Sequence, residues 1–120
     1  MIIGIAGSRS IEFSIPEELM PEKIDGIISG GAKGIDTSAR DYARLHRIPF
    51  TEILPEYELY GRKAPLIRND VIIKHSDMIY IFWDGKSRGT GYVINKCNQL
   101  GKPCKVFLLK DGTFTLINET

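Results

Sequence analysis

Ser29-Gly30-Gly31-Ala32-Lys33-Gly34-Ile35-Asp36 divides two stretches of different period. Before it, Ile24 to Ser29 is a short apolar run that reads as a buried strand. After it, Ile35, Ala39, Tyr42, Ala43 and His46 recur at spacings of three and four, which is the period of a helix that buries one face. The glycines therefore form a strand-to-helix turn. Asp36 or Thr37 is available as the N-cap, and Pro49 stops the helix.

The same alternation extends to both sides. Ile2 to Ala6 is an apolar run ended by Gly7-Ser8-Arg9-Ser10. Ser14, Pro16 and Glu17 form a capping-box pattern, so a short helix is expected as far as Met20. Phe50 to Leu54 reads as a third strand, Pro55 to Ala64 as a loop of mixed charge, and Pro65 to Ser76 as a helix. Met78 to Trp83 is the most continuously apolar stretch and reads as a fourth strand. A glycine-rich loop, Gly85 to Gly91, then leads into a helix with Val93, Ile94, Cys97 and Leu100 inward, closed by Gly101 with Pro103 beyond. Lys105 to Leu109 is a fifth strand, and the Asp111-Gly112 turn brings Thr113 to Ile117 back antiparallel as an edge strand.

Short apolar strands alternating with helices imply parallel pairing with helices on both faces. The expected fold is α/β: a single-domain, Rossmann-like, doubly wound and mostly parallel sheet of five to six strands. The 120 residues, 42% hydrophobic and 26% charged, suit one globular domain and exclude disorder. Sixteen basic against fifteen acidic residues give a net charge of +1, which supplies no global field toward nucleic acid or anionic membranes. No apolar run approaches a membrane span and no basic leader is seen, so a cytoplasmic protein is expected. Cys97 and Cys104 lack metal-ligand spacing and read as buried, reduced thiols.

In doubly wound sheets ligands sit beyond the strand C-termini, where the strand order reverses. That directs attention to the loops after strands one, two and four, which hold seven of the twelve glycines: Gly7, Gly30, Gly31, Gly34, Gly85, Gly89 and Gly91. Glycine lets several N–H groups converge on one anion beside a helix start. Each loop also brings a hydroxyl and a cation: Ser8 with Arg9, Ser29 with Lys33, Ser87 with Lys86 and Arg88. Taken singly, any of these loops could be a tight turn with solvated charges; the agreement of three favours a phosphate or pyrophosphate site. The Walker and dinucleotide glycine patterns are both absent. Asp84 suits ribose hydroxyls or a turn acceptor, Trp83 burial or base stacking, and Asp36 a helix cap or a tie to the glycine loop. His46 and His75 lie near helix C-termini, where a dipole contact accounts for them. Asp36, Asp77 and Asp84 could hold a cation only with phosphate oxygens completing its shell, so no metal is expected.

With these residues in view, the chain resembles the SLOG superfamily, named for the DNA-processing protein DprA and the LOG enzymes. Ser29 to Asp36 is similar to its Ser-Gly-Gly-Ala-Arg-Gly-Ile-Asp segment, and Gly7-Ser8-Arg9 to its first loop. Arg68-Asn69, and Asp77 through Trp83-Asp84-Gly85-Lys86-Ser87-Arg88-Gly89-Thr90, resemble its Arg-Asn helix and glycine-threonine loop. The resemblance spans about residues 1 to 110 and is nearest the short, stand-alone YspA-like branch. It implies binding of nucleotides or nucleotide-derived molecules at these loops.

On that basis Gly7, Ser8, Arg9, Gly30, Gly31, Lys33, Gly34, Ser87, Arg88, Gly89 and Thr90 are expected to hold phosphate. Arg68 and Asn69 would line the opposite wall, with Asp36 and Gly85 in the same loops; Asp84 would take ribose and Trp83 abut the base. No cofactor is required beyond the nucleotide-type ligand itself. LOG enzymes cleave the bond between ribose 5′-phosphate and base with an Arg and a Glu. Arg68 matches the Arg, but the Glu position falls on Val93 and the loop before it is two residues longer. Without that carboxylate, N-glycosidic cleavage lacks its agent. The expectation is therefore a sensor or carrier, with a nucleoside 5′-monophosphate phosphoribohydrolase, or an interaction module with a vestigial pocket, as alternatives. One Trp and a balanced charge argue against a single-stranded nucleic acid groove, and an exposed helix face leaves a homo-oligomer open.

Overall fold

The apolar runs become strands β1 (Ile2–Gly7), β2 (Gly26–Ser29), β3 (Phe50–Glu52), β4 (Met78–Trp83), β5 (Cys104–Lys110) and β6 (Thr113–Glu119) in a computed structural model that describes residues 1–120. The helices are α1 (Ile35–Leu45), α2 (Tyr57–Tyr60), α3 (Ala64–His75) and α4 (Arg88–Leu100). One six-stranded sheet runs β3-β2-β1-β4-β5-β6. All pairings are parallel except β5 with β6, which is antiparallel across the Asp111-Gly112 turn. The fold is the expected Rossmann-like α/β sheet, mostly parallel, with helices on both faces.

Burial on both faces explains why β1 and β4 read as continuous apolar runs. On one face Ile3, Ile5, Ile27, Tyr80, Phe82 and Phe107 pack under Ile35, Ala39, Tyr42 and Ala43 of α1. On the other, Ala6, Ile28, Ile79, Ile81 and Val106 pack under Ile72 and Ile73 of α3 and Val93 and Cys97 of α4. Phe82 and Phe107 stack at 5.3 Å between ring centres, with Phe114 edge-on to Phe82 at 5.1 Å. Cys97 and Cys104 are buried and unlinked. Burial, reinforced by the neighbouring Cys104 sulfur, pushes the Cys97 thiol up to about 12, so it stays protonated. No helix is long and apolar enough to cross a membrane.

Several local expectations are corrected. The Ser14 capping box does not form: only a three-residue 3-10 turn at Glu17–Leu19 appears, preceded by Pro16 and without a side-chain cap. Ile11, Ile15 and Met20 are buried in the α1-side core instead, so this segment is held by its apolar anchors rather than by helix hydrogen bonds. Strand β2 starts at Gly26, not Ile24, and β3 ends at Glu52, not Leu54. The segment read as a loop, 55–64, contains α2 and a 3-10 turn at Gly61–Lys63. Leu100 is 60% exposed rather than inward, because the helix ends there with Gly101 in the left-handed region. Neither Asp36 nor Thr37 caps α1; the N-cap is Gly34, and the Asp36 carboxylate turns back to the glycine loop.

Candidate functional site

The strand order reverses between β1 and β4, and the loops leaving these neighbours are wired together. Ser8 is fully buried; its Oγ accepts from the Asp84 amide at 3.0 Å and lies 3.4 Å from Thr90 Oγ1. Asp84 Oδ2 accepts from Ser10 Oγ at 2.6 Å, and Oδ1 from the Lys86 and Ser87 amides at 2.8 Å each. Ser87 caps α4, accepting from the Thr90 amide at 3.3 Å. Of the two roles its position allowed, Asp84 therefore fills the turn-acceptor one. Burial alone would raise its pKa, but the bonds from Ser10, Ser87, Lys86 and Ser8 outweigh it and hold the carboxyl at about 2, below its ordinary 3.8.

A carboxyl depressed in the folded state contributes stability above its unfolded pKa and loses it as pH falls through the folded one. Asp84 thus supports the fold above about pH 4, and that support fades between about pH 4 and pH 2. Asp84→Asn is expected to cost about 1 kcal/mol at pH 7, allowing for solvent screening, and almost nothing near pH 2. Urea unfolding of both proteins at the two pH values measures this difference.

Between the loops after β1, β2 and β3, the start of α3 and the N-terminus of α4 lies a cleft of about 410 Å³. Gly7, Arg9, Gly30, Gly31, Asp36, Arg68, Asn69, Ser87, Gly89 and Thr90 line it, with Val93 among the apolar residues of its wall. The Arg68 guanidinium holds the wall in place: Nη1 donates to the carbonyls of Gly30 and, at 3.4 Å, Ile53, and Nε donates to Asn69 Oδ1 at 2.8 Å. A Cβ on Gly30 would stand 2.5 Å from Arg68 Nη1, so glycine leaves room for the guanidinium. Burial lowers the Arg68 pKa, as does the nearby positive charge of Arg9, while Asp36 and Tyr57 act the other way. Asp36 is partly buried and accepts from Ser29 Oγ at 2.7 Å and the Ala32 amide at 3.0 Å. Burial raises its pKa more than these bonds and Arg68 lower it.

The chain's three ion pairs use neither Arg9 nor Arg68. Two guanidiniums and the first turn of α4 line the cleft against the single carboxylate of Asp36, so its lining carries a net positive charge. The arrangement suits a divalent oxyanion.

No family model, curated protein or solved structure matches the chain significantly.

The remaining residues singled out in the sequence lie elsewhere. Lys33 and Gly34 border a second hollow with Glu12, Ser14, Thr37, Asp41 and Tyr42. Gly34 has φ +79, and a Cβ there would meet the Arg9 backbone at 2.5 Å, so its role is to let the β2–α1 turn pass beneath the first loop. Trp83 is half-buried on the α3–α4 side and donates from Nε1 to the Ser87 carbonyl at 3.1 Å. Gly85, with φ +83, and the exposed Arg88 shape the β4–α4 loop without lining the cleft, and Ser8 braces it from behind. The sequence reading missed Leu54, Pro55, Tyr57, Pro65 and Leu66, which also line the cleft. Only Pro55 and Tyr57 fall in the segment read as a loop of mixed charge; Leu54 ends the expected third strand, and Pro65 and Leu66 open the expected helix.

Proposed function

We propose that the cleft binds a phosphate-bearing nucleotide or nucleotide derivative and holds it without cleaving it, as a sensor or carrier. The observation that carries this reading is that Arg9 and Arg68 both line the cleft, among the glycines of three loops, and that neither enters an ion pair. An oxyanion in the cleft would gain both cations, the amides of the adjacent glycine loops and the α4 start. The resemblance of Gly7-Ser8-Arg9, Ser29 to Asp36, Arg68-Asn69 and Trp83 to Thr90 to the SLOG superfamily, and to its YspA-like branch, supports the same class of ligand.

Retention rather than cleavage is supported by the cleft wall. Position 93 carries the buried aliphatic side chain of Val93, and Asp36 is the one carboxylate lining the cleft, with both oxygens engaged by Ser29 and Ala32. A cytoplasmic location belongs to this reading, since buried free thiols persist in a reducing compartment.

Thermal unfolding in the presence of nucleoside mono-, di- and triphosphates, ADP-ribose and cyclic dinucleotides tests it, with chromatography of each mixture after overnight incubation. A ligand at about 100 times its Kd stabilises by about 2.7 kcal/mol, and the ligand is expected to be recovered intact. Released base would instead assign the site to a phosphoribohydrolase, with Asp36 as its acid. No stabilisation by any ligand would overturn the nucleotide reading and leave an interaction module.

A further inference from the structure

The cleft also has an apolar part. Leu54, Pro55, Tyr57, Pro65 and Leu66 line it, and none of them brings a charge. Leu54 is 58% exposed and Tyr57 60% exposed, although both belong to a folded wall. Exposed apolar side chains gathered on one wall of a concave site, rather than scattered, mark a surface built to be covered. One cleft thus combines cationic and apolar side chains.

Tyr57 is the aromatic residue of this lining, and its helix, α2, buries none of its four residues. An aromatic ring kept in water at the lip of a cleft gains by covering its face with another flat group. From this we infer that Tyr57, with Leu54 and Leu66, forms a subsite for the planar base of the ligand, and that the base supplies affinity the phosphate end alone does not. The inference rests on the nucleotide reading and narrows it: the ligand carries its planar group within one cleft length of its phosphate. At about 410 Å³ the cleft lies toward the small end of ligand cavities, which fits a single nucleotide. It also moves the base from Trp83, whose ring packs on the core and whose Nε1 is bonded to Ser87, to residues that line the cleft.

Calorimetric titration of the whole chain with the nucleoside 5′-mono- and diphosphates and with ribose 5-phosphate separates the two ideas. Wild type is expected to bind its best nucleotide about 5- to 150-fold more tightly than ribose 5-phosphate, the range that one stacked base supplies. Tyr57→Ala should close the gap to within about 2-fold by weakening nucleotide binding far more than ribose 5-phosphate binding, while Tyr57→Phe keeps the gap. The heat-capacity change of nucleotide binding should be negative in wild type and smaller in Tyr57→Ala. Equal binding of nucleotide and ribose 5-phosphate by wild type would overturn the base subsite and spare the phosphate site. So would a gap that survives Tyr57→Ala, and equal losses in the Phe and Ala variants would assign the effect to the hydroxyl. Failure of every phosphate ligand to bind wild type would overturn both readings.

Discussion

Arg68→Ala is expected to weaken nucleotide binding by about 100-fold while the protein remains folded. Hydrogen bonds to a charged partner are each worth about 1.5–3 kcal/mol, and the guanidinium also positions the Gly30 carbonyl, the Ile53 carbonyl and Asn69 around the cleft. Its loss removes one of the two cations facing the ligand and releases the β2 loop from the α3 wall. Stability should fall by only about 1 kcal/mol, because the freed carbonyls border an open cleft and water can reach them. Arg68→Lys should recover only part of the affinity: an ammonium keeps the charge but cannot bond Gly30 and Asn69 from a planar fork and still face a phosphate. Calorimetric titration of the three proteins, each checked for cooperative unfolding, measures this. Full affinity in Arg68→Ala would remove Arg68 from the site.

Gly34→Ala should have the largest effect on stability. At φ +79 and ψ −128 the residue occupies backbone space that side chains rarely adopt, a strain of about 1–3 kcal/mol. In addition the new methyl would lie 2.5 Å from the Arg9 carbonyl oxygen and 2.7 Å from its Cα, and forced overpacking of this kind costs about 1–3 kcal/mol more. A loss of about 4 kcal/mol is a large share of the 5–15 kcal/mol that a domain of this size retains, and corresponds to a fall of about 15 °C in Tm. Gly112→Ala is the control. Gly112 has φ +75 but nothing within 4 Å of the position a Cβ would take, so only the backbone term remains, about 1 kcal/mol. Thermal melts of both variants separate strain from clash, and equal losses would show that the approach of Arg9 to Gly34 contributes nothing.

These two residues also show how far the sequence could be read. Gly34 stood out because a glycine before a helical period marks a turn, and the strand-to-helix reading around it is correct. Its purpose depends on the backbone of Arg9, 25 residues away in the chain, which no local pattern reports. Strands β1 and β4 and helix α1 were legible because their periods are local and glycines or prolines punctuate them. Residues 55–64 were not, because Pro55, Gly61 and mixed charge resemble a loop, and α2 has no side-chain cap to announce it. Likewise Asp36 could cap α1 or tie down the glycine loop; the 2.7 Å bond from Ser29 selects the second. Arg68 was picked out by its place in a motif, yet its function in the wall arises from two carbonyls in separate strand-end loops.

The most direct test follows the backbone amides of the ¹⁵N-labelled chain by NMR during titration with a nucleotide that stabilises it. The account predicts that the largest shifts fall on Gly30, Gly31, Gly89 and Thr90, where the loops after β2 and β4 face the cleft, with smaller ones at Tyr57 and Leu66. Shifts centred on Lys33, Thr37 and Asp41, beside the second hollow, or no shifts at all, would contradict it.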